Sequence, residues 1–123
     1  MAAEELQKKF QTELDALKQC QKEINQLVGN RQQLDGQLNE NSIVKEELAL
    51  LKSSGEVYKM VGPILLRQDH TEAKENIDKR MSYIKNELQR IDDRVHTLEE
   101  TQEKYRESLT KLQQQYQAQQ IKK

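Results

Sequence analysis

The sequence has 123 residues, carries charge on 33% of them and has a formal net charge of −1, with one Phe, one Pro and no Trp. So few large side chains argue against a conventional layered core, and the near-neutral charge argues against nucleic acid or an anionic membrane as the main partner. High charge with few aromatic residues is also typical of disordered chains, so an ordered fold has to show in the apolar periodicity.

The first predicted element is a long helix over about residues 4–52. Apolar residues recur there at alternating steps of three and four, which is the heptad stripe of a helix packed in a coiled coil. Gly29 and Gly36 lie inside it, and each costs about 1 kcal/mol relative to Ala. Arg31 and Asn41 interrupt the stripe and either fix the register of the coiled coil or face water. Residues 53–55, Ser-Ser-Gly, supply a helix stop.

The next element is a predicted β-hairpin over about residues 56–68. Short apolar runs at strand length flank a turn signal at Gly62-Pro63. Large apolar groups point to both faces of this hairpin. A lone two-stranded hairpin is marginal in water, so an apolar one needs partners. The residues predicted to form this assembly surface are Val57, Tyr58, Met60, Val61, Ile64, Leu65 and Leu66.

A second long helix is predicted over about residues 70–120, with Asp69 as its N-cap. If the chain reverses at Gly62-Pro63, residues whose numbers sum to about 125 meet, so Leu48 pairs with Ile77. The predicted fold is therefore mainly α, a long antiparallel two-helix coiled coil with one β-hairpin at the connection, in a single domain of residues 1–123. Assembly would let the hairpin join a β-barrel that leaves no free strand edges. A parallel dimer of straight rods is the other interpretation, but the hairpin interrupts any continuous helix.

Motifs that carry enzymatic chemistry are weak, and we expect no catalytic residues, no cofactor and no metal. His70 and His96 have no further ligands at a metal-binding spacing and are interpreted as solvated. Cys20 lies on the apolar stripe of the first predicted helix, with no evident base nearby to activate it, and is interpreted as an inert thiol. A single Cys suits a reducing compartment, and no apolar run is long enough for a membrane span or a leader. We therefore expect a cytoplasmic protein, and the nucleus stays open as a second location.

The ends of the two helices, far from the hairpin, form a second candidate surface. Helix ends fray, so apolar residues there are predicted to be exposed and to bind other proteins. These residues are Leu6, Phe10, Tyr116 and Ile121. The Gln-rich tail that follows Leu112 is equally consistent with a solvated terminus.

Three stretches resemble the β-class subunits of prefoldin: RQQLDGQLNENSIVKEELALL, VYKMVGPILLRQD and EAKENIDKRMSYIKNEL. The resemblance covers about residues 6–116. It implies one subunit of a heterohexamer of two α-class and four β-class subunits, whose hairpins form a β-barrel platform carrying six coiled-coil arms. It also implies that the arm tips bind non-native proteins such as actin and tubulin and pass them to the group II chaperonin without ATP.

Carried onto this sequence, the resemblance assigns the seven hairpin residues to the platform and Leu6, Phe10, Tyr116 and Ile121 to the client-binding tip. The alternative is a structural or tethering coiled coil without chaperone activity. A third reading, the nucleic-acid-binding helical arm found on some synthetases, needs a basic face that the near-neutral helices do not provide.

Overall fold

The computed structural model describes residues 2–51 and 55–121. Helix α1 spans Ala3–Leu50, strand β1 Val57–Val61, strand β2 Ile64–Gln68 and helix α2 His70–Ile121. The strands form a two-stranded antiparallel sheet, so the predicted fold class of two long helices joined by one hairpin is confirmed. The predicted helix end near residue 52 and the stop at Ser53-Ser54 lie outside the described residues. The β-barrel expected in the oligomer stays a prediction.

The described residues form two compact units, which we treat separately. The terminal unit comprises the residues up to Asn30 and those from Ile91 onward, and the hairpin unit comprises Arg31–Arg90. Each unit contains a segment of α1 and a segment of α2, and the hairpin unit also contains both strands.

The core of the hairpin unit lies where the strands meet the two helices. Leu48 of α1 packs with Ala73 and Ile77 of α2, and Val57 and Met81 pack against this cluster. The predicted pairing of Leu48 with Ile77 is therefore confirmed. The small side chain of Ala73 is almost completely buried, as expected where two helices approach each other closely.

Two polar contacts close the ends of the helices beside the hairpin. The Glu72 backbone N–H donates to Asp69 Oδ2 at 3.3 Å, so Asp69 is the N-cap of α2, as predicted. His70 Nε2 lies 2.9 Å from the carbonyl oxygen of Leu48, near the end of α1. The same oxygen also accepts the Leu51 backbone N–H at 3.3 Å. The interpretation of His70 as a solvated side chain is wrong, because it is half-buried and caps the end of α1.

Two polar residues of the α1 stripe in this unit have contacts with side chains or carbonyls of α1. Asn41 Nδ2 donates to the Gln37 carbonyl at 2.7 Å, and Arg31 Nη1 pairs with Asp35 Oδ2 at 2.6 Å. The Asn41 contact does not join the two helices, so it gives no support for the register-fixing alternative at that position.

In the terminal unit the helices are joined by apolar packing and by polar contacts across the seam. Its buried apolar side chains are Leu6, Ile24, Ile91, Leu98, Leu109 and Leu112. Gln102 is also buried, and its Nε2 donates to Gln21 Oε1 at 2.9 Å. Ser108 Oγ donates to Glu13 Oε2 at 2.6 Å. The buried Gln102 amide is tolerated only where Gln21 lies opposite it. The Gln102–Gln21 contact therefore specifies how the two helices align.

Candidate functional site

The hairpin turn is built by two residues with complementary backbone preferences. Val61 pairs with Ile64, which leaves Gly62 and Pro63 as a two-residue loop. Gly62 has φ +59°, a conformation that L-residues with a Cβ rarely adopt, and the proline ring holds φ near −65°. Positive then negative φ is the pattern of a type II′ turn, whose twist matches that of antiparallel strands.

The strand register distributes the apolar side chains over both faces of the hairpin. Met60 pairs with Leu65 on one face, and Lys59 with Leu66 and Val61 with Ile64 lie on the other. About half or more of the surface of six large apolar side chains is exposed, those of Tyr58, Met60, Val61, Ile64, Leu65 and Leu66. Val57 differs, because it packs against the core of the hairpin unit. We call the six exposed residues the hairpin surface.

An open groove of about 340 Å³ connects the hairpin surface to the helices of the same unit. Tyr58 and Met60 line it from β1, and Val44 and Leu48 line it from α1. Val44 is itself partly exposed. Apolar surface therefore continues from the strands onto α1.

A polar contact lies beside this apolar surface. The Tyr58 hydroxyl donates to Glu56 Oε2, and this hydrogen bond, together with the negative charge of Glu56, raises the pKa of Tyr58 above its ordinary value of 10.0. Arg67 lies across from Tyr58 in the sheet, with its Nη2 3.9 Å from Glu56 Oε1. These polar groups orient the Tyr58 ring at the start of β1.

A second candidate site lies in the terminal unit, between the start of α1 and the end of α2. It is a cleft of about 340 Å³, which we call the terminal cleft. Its apolar lining consists of Leu6, Phe10, Leu112 and Tyr116, and its rim of Gln7, Gln11 and Gln113. Gln7 Nε2 donates to the Tyr116 hydroxyl at 3.3 Å across the cleft. The lining holds no charged side chain, so the cleft suits an uncharged apolar group.

The structure brings together three of the four predicted tip residues. Leu6, Phe10 and Tyr116 line the terminal cleft, whereas Ile121 does not and is 84% exposed. The expectation that Leu6 is exposed is wrong: it is only 2% exposed, because the packing of the helices extends into the first turns of α1. The binding roles of all four residues stay predictions.

Sequence reasoning missed the glutamines of this unit. Gln7, Gln11 and Gln113 were not among the predicted site residues, but they line the terminal cleft. Gln102 lies seven residues before Leu109, on the apolar stripe of α2. That position was the available signal that Gln102 is buried and needs a partner.

No metal site is present in the described part of the chain, where no group of three or more His, Cys, Asp or Glu side chains could hold an ion. Cys20 is free and partly buried. His96 Nε2 lies 2.7 Å from Glu100 Oε1 on the surface of α2. Within residues 2–51 and 55–121, no helix has the length and apolar character needed to cross a bilayer.

Comparison with known proteins finds one matching family and several similar proteins. The Prefoldin subunit family matches residues 4–116. Prefoldin subunit 6 of Homo sapiens is 44% identical over 121 residues, which cover 98% of this chain and 94% of that protein. Prefoldin subunit 6 of Arabidopsis thaliana is 40% identical over 113 residues, covering 92% of this chain and 88% of that protein.

Two solved structures from Thermococcus strain KS-1 have a similar fold. The prefoldin beta2 subunit from Thermococcus strain KS-1 matches with a TM-score of 0.65 and 24% identity, over 75% of this chain and 98% of that one. The prefoldin beta subunit from the same strain matches with a TM-score of 0.54 and 23% identity, over 89% of this chain and 90% of that one. At these identities the structural likeness shows the fold alone.

Proposed function

The chain belongs to the prefoldin family, and from that membership we propose that it is one subunit of a heterohexameric prefoldin chaperone complex. In this proposal two α-class and four β-class subunits join through their hairpins. The complex holds non-native proteins such as actin and tubulin and passes them to the group II chaperonin without using ATP.

The hairpin surface is the single observation that carries this proposal. A twelve-residue hairpin, Val57 to Gln68, that exposes six large apolar side chains and two strand edges has more apolar surface than a soluble monomer keeps in one place. Pairing with strands of other subunits satisfies the edges and removes the apolar surface from water at the same time.

The terminal cleft supports client binding. A cleft with an apolar floor and an uncharged amide rim accepts an apolar side chain of an unfolded segment, while the glutamines offer both donors and acceptors to its backbone. One such contact is weak. Several subunits that bind one client together gain affinity through effective concentration.

The test of client binding measures assembly of the complex and binding of a denatured client separately. In the reconstituted complex, Phe10→Ser with Tyr116→Ser removes the aromatic lining of the terminal cleft and leaves the hairpin surface intact. We expect the variant to enter the complex normally and to suppress aggregation of denatured actin several-fold less well than the wild type. Tyr83→Ser is the control, because Tyr83 is exposed on α2 outside both surfaces, and it should hold actin normally.

A wild-type complex that assembles but holds no denatured client would favour the tethering coiled coil instead. Circular dichroism of each variant establishes that lost holding is not lost folding. We also propose that the complex works in the cytoplasm, which fractionation of cells expressing the tagged chain tests.

A further inference from the structure

Helix α1 carries a second apolar row on the side that faces away from α2. At 100° per residue, positions seven apart on a helix lie within about 20° of one another. Gly36, Ile43 and Leu50 have this spacing and are all exposed, Leu50 by 83%. Leu34, by contrast, lies about 180° round the helix from Ile43, on the side that packs in the coiled coil. We call Gly36, Ile43 and Leu50 the back seam.

Nothing in the described chain accounts for the back seam. A Cβ added at Gly36 would meet no atom within 4 Å, so the glycine is not required by packing within the chain, and it weakens the helix. A glycine in the middle of a helix allows another backbone to approach closely. The seam therefore has the features of a helix face that contacts a second helix: two large apolar side chains and one position for close approach.

The flanks of the back seam are acidic. Glu40, Glu46 and Glu47 lie within about 60° of Ile43 on the same side of α1, and all three are exposed. Among the described residues, none of the three forms an ion pair. Two copies of this face would bring like charges together, so the charge favours a different partner whose apolar row is flanked by Lys or Arg.

The size and place of the seam identify where that partner comes from. The seam spans the 15 residues from Gly36 to Leu50, about 21 Å along the helix axis. Its area is too small to supply the roughly 1,200 Å² that stable complexes bury. It must therefore add to an assembly that already exists. Leu50 is the last residue of α1 and precedes the first strand residue, Val57, by seven positions, so the seam ends at the end of the helix that leads into the hairpin.

We propose that the back seam binds a basic-flanked apolar helix of a neighbouring prefoldin subunit, as an assembly contact outside the hairpins. This inference rests on the proposed function. Once the hairpins have joined, the neighbouring helix is present at high effective concentration, and a small contact then suffices to fix its direction relative to α1.

The experiment reconstitutes the full complex from its subunits and measures retention of this chain on dilution by native mass spectrometry. Ile43→Ser with Leu50→Ser should weaken retention about tenfold. Gly36→Gln gives a sharper test, because glutamine is a better helix former than glycine and points into open space. The isolated Gly36→Gln chain should melt at a higher temperature while its retention falls, a pair of opposite effects that a role within the chain alone would not produce.

Two further variants test whether retention depends on the position of the substituted side chain and on the charge of the flanking glutamates. Tyr83→Ser removes a large exposed side chain from α2, outside both candidate surfaces, and it should leave retention unchanged. Neutralising the three flanking glutamates to glutamine should weaken retention at low ionic strength and reduce its dependence on salt.

The outcomes distinguish this inference from the proposed function. Failure of the wild-type chain to enter any hetero-complex would overturn both. Normal retention of the back-seam variants, in a complex that Leu65→Asp disrupts, would overturn the back seam alone. Loss of only the self-association of the chain, or loss of client holding in a fully retained complex, would overturn the assignment to a neighbouring subunit.

Discussion

The substitution Leu65→Asp tests whether the hairpin surface drives assembly. Leu65 is 61% exposed in the chain and pairs with Met60. Full burial of a leucine contributes about 1.5–3 kcal/mol, so covering the exposed part would contribute about 1–2 kcal/mol to assembly. Placing a carboxylate in the same apolar contact adds a penalty of at least about 1–2 kcal/mol. The expected loss is about 2–4 kcal/mol, or roughly 30- to 1,000-fold in affinity.

The free chain should change far less than the complex. Leu65 is mostly in water there, so Asp should cost under about 1 kcal/mol of folding free energy, through strand propensity. Thermal unfolding followed by circular dichroism measures this change in folding free energy, and sedimentation of the reconstituted complex measures assembly. Tyr83→Asp is the matched control, because Tyr83 is 65% exposed but lies on α2 outside the hairpin. Assembly of Leu65→Asp at wild-type affinity, or an equal loss with Tyr83→Asp, would refute the reasoning.

Two further predictions concern the packing of the terminal unit and the contact beside the hairpin surface. Leu6→Ala should lower stability by about 2 kcal/mol, the low end for a buried leucine because the site lies near a helix end, and chemical denaturation measures it. An unchanged value would mean that the first turn of α1 is frayed. Glu56→Gln should lower the pKa of Tyr58 toward its ordinary value in a spectrophotometric titration, since the Glu56 carboxylate raises it. Because the folded-state pKa is the raised one, this contact stabilises the fold at neutral pH and is lost as pH rises through that pKa; a pKa that Glu56→Gln leaves in place would contradict the assignment.

The hairpin and the helix pairing could be predicted because their signals are local or periodic. Gly62-Pro63 between two strand-length apolar runs requires only nearest-neighbour backbone preferences, and the structure has the turn there. The heptad stripes state which side of each helix is apolar. Aligning the two stripes about the hairpin turn at Gly62-Pro63 placed Leu48 against Ile77 correctly.

The finer features of the candidate sites depend on geometry that the pattern does not contain. A heptad stripe does not say how close to its end the helix stays packed, so Leu6 was expected to be exposed although it is buried. Whether Gln102 can hydrogen-bond to Gln21 depends on the register of α1 against α2 to within a fraction of a helical turn. The cap that His70 places on α1 joins residues 22 apart in sequence, across the hairpin, and no local signal reports it.

The central claim is that this chain works as a subunit of a hetero-oligomer. The most direct test is the native mass of the complex recovered with a tagged copy of the chain from its own cytosol. The account predicts a hetero-hexamer of small subunits in which this chain is joined to other prefoldin subunits. A homodimer, or the chain recovered alone, would contradict it and would leave the exposed hairpin surface without the role assigned to it.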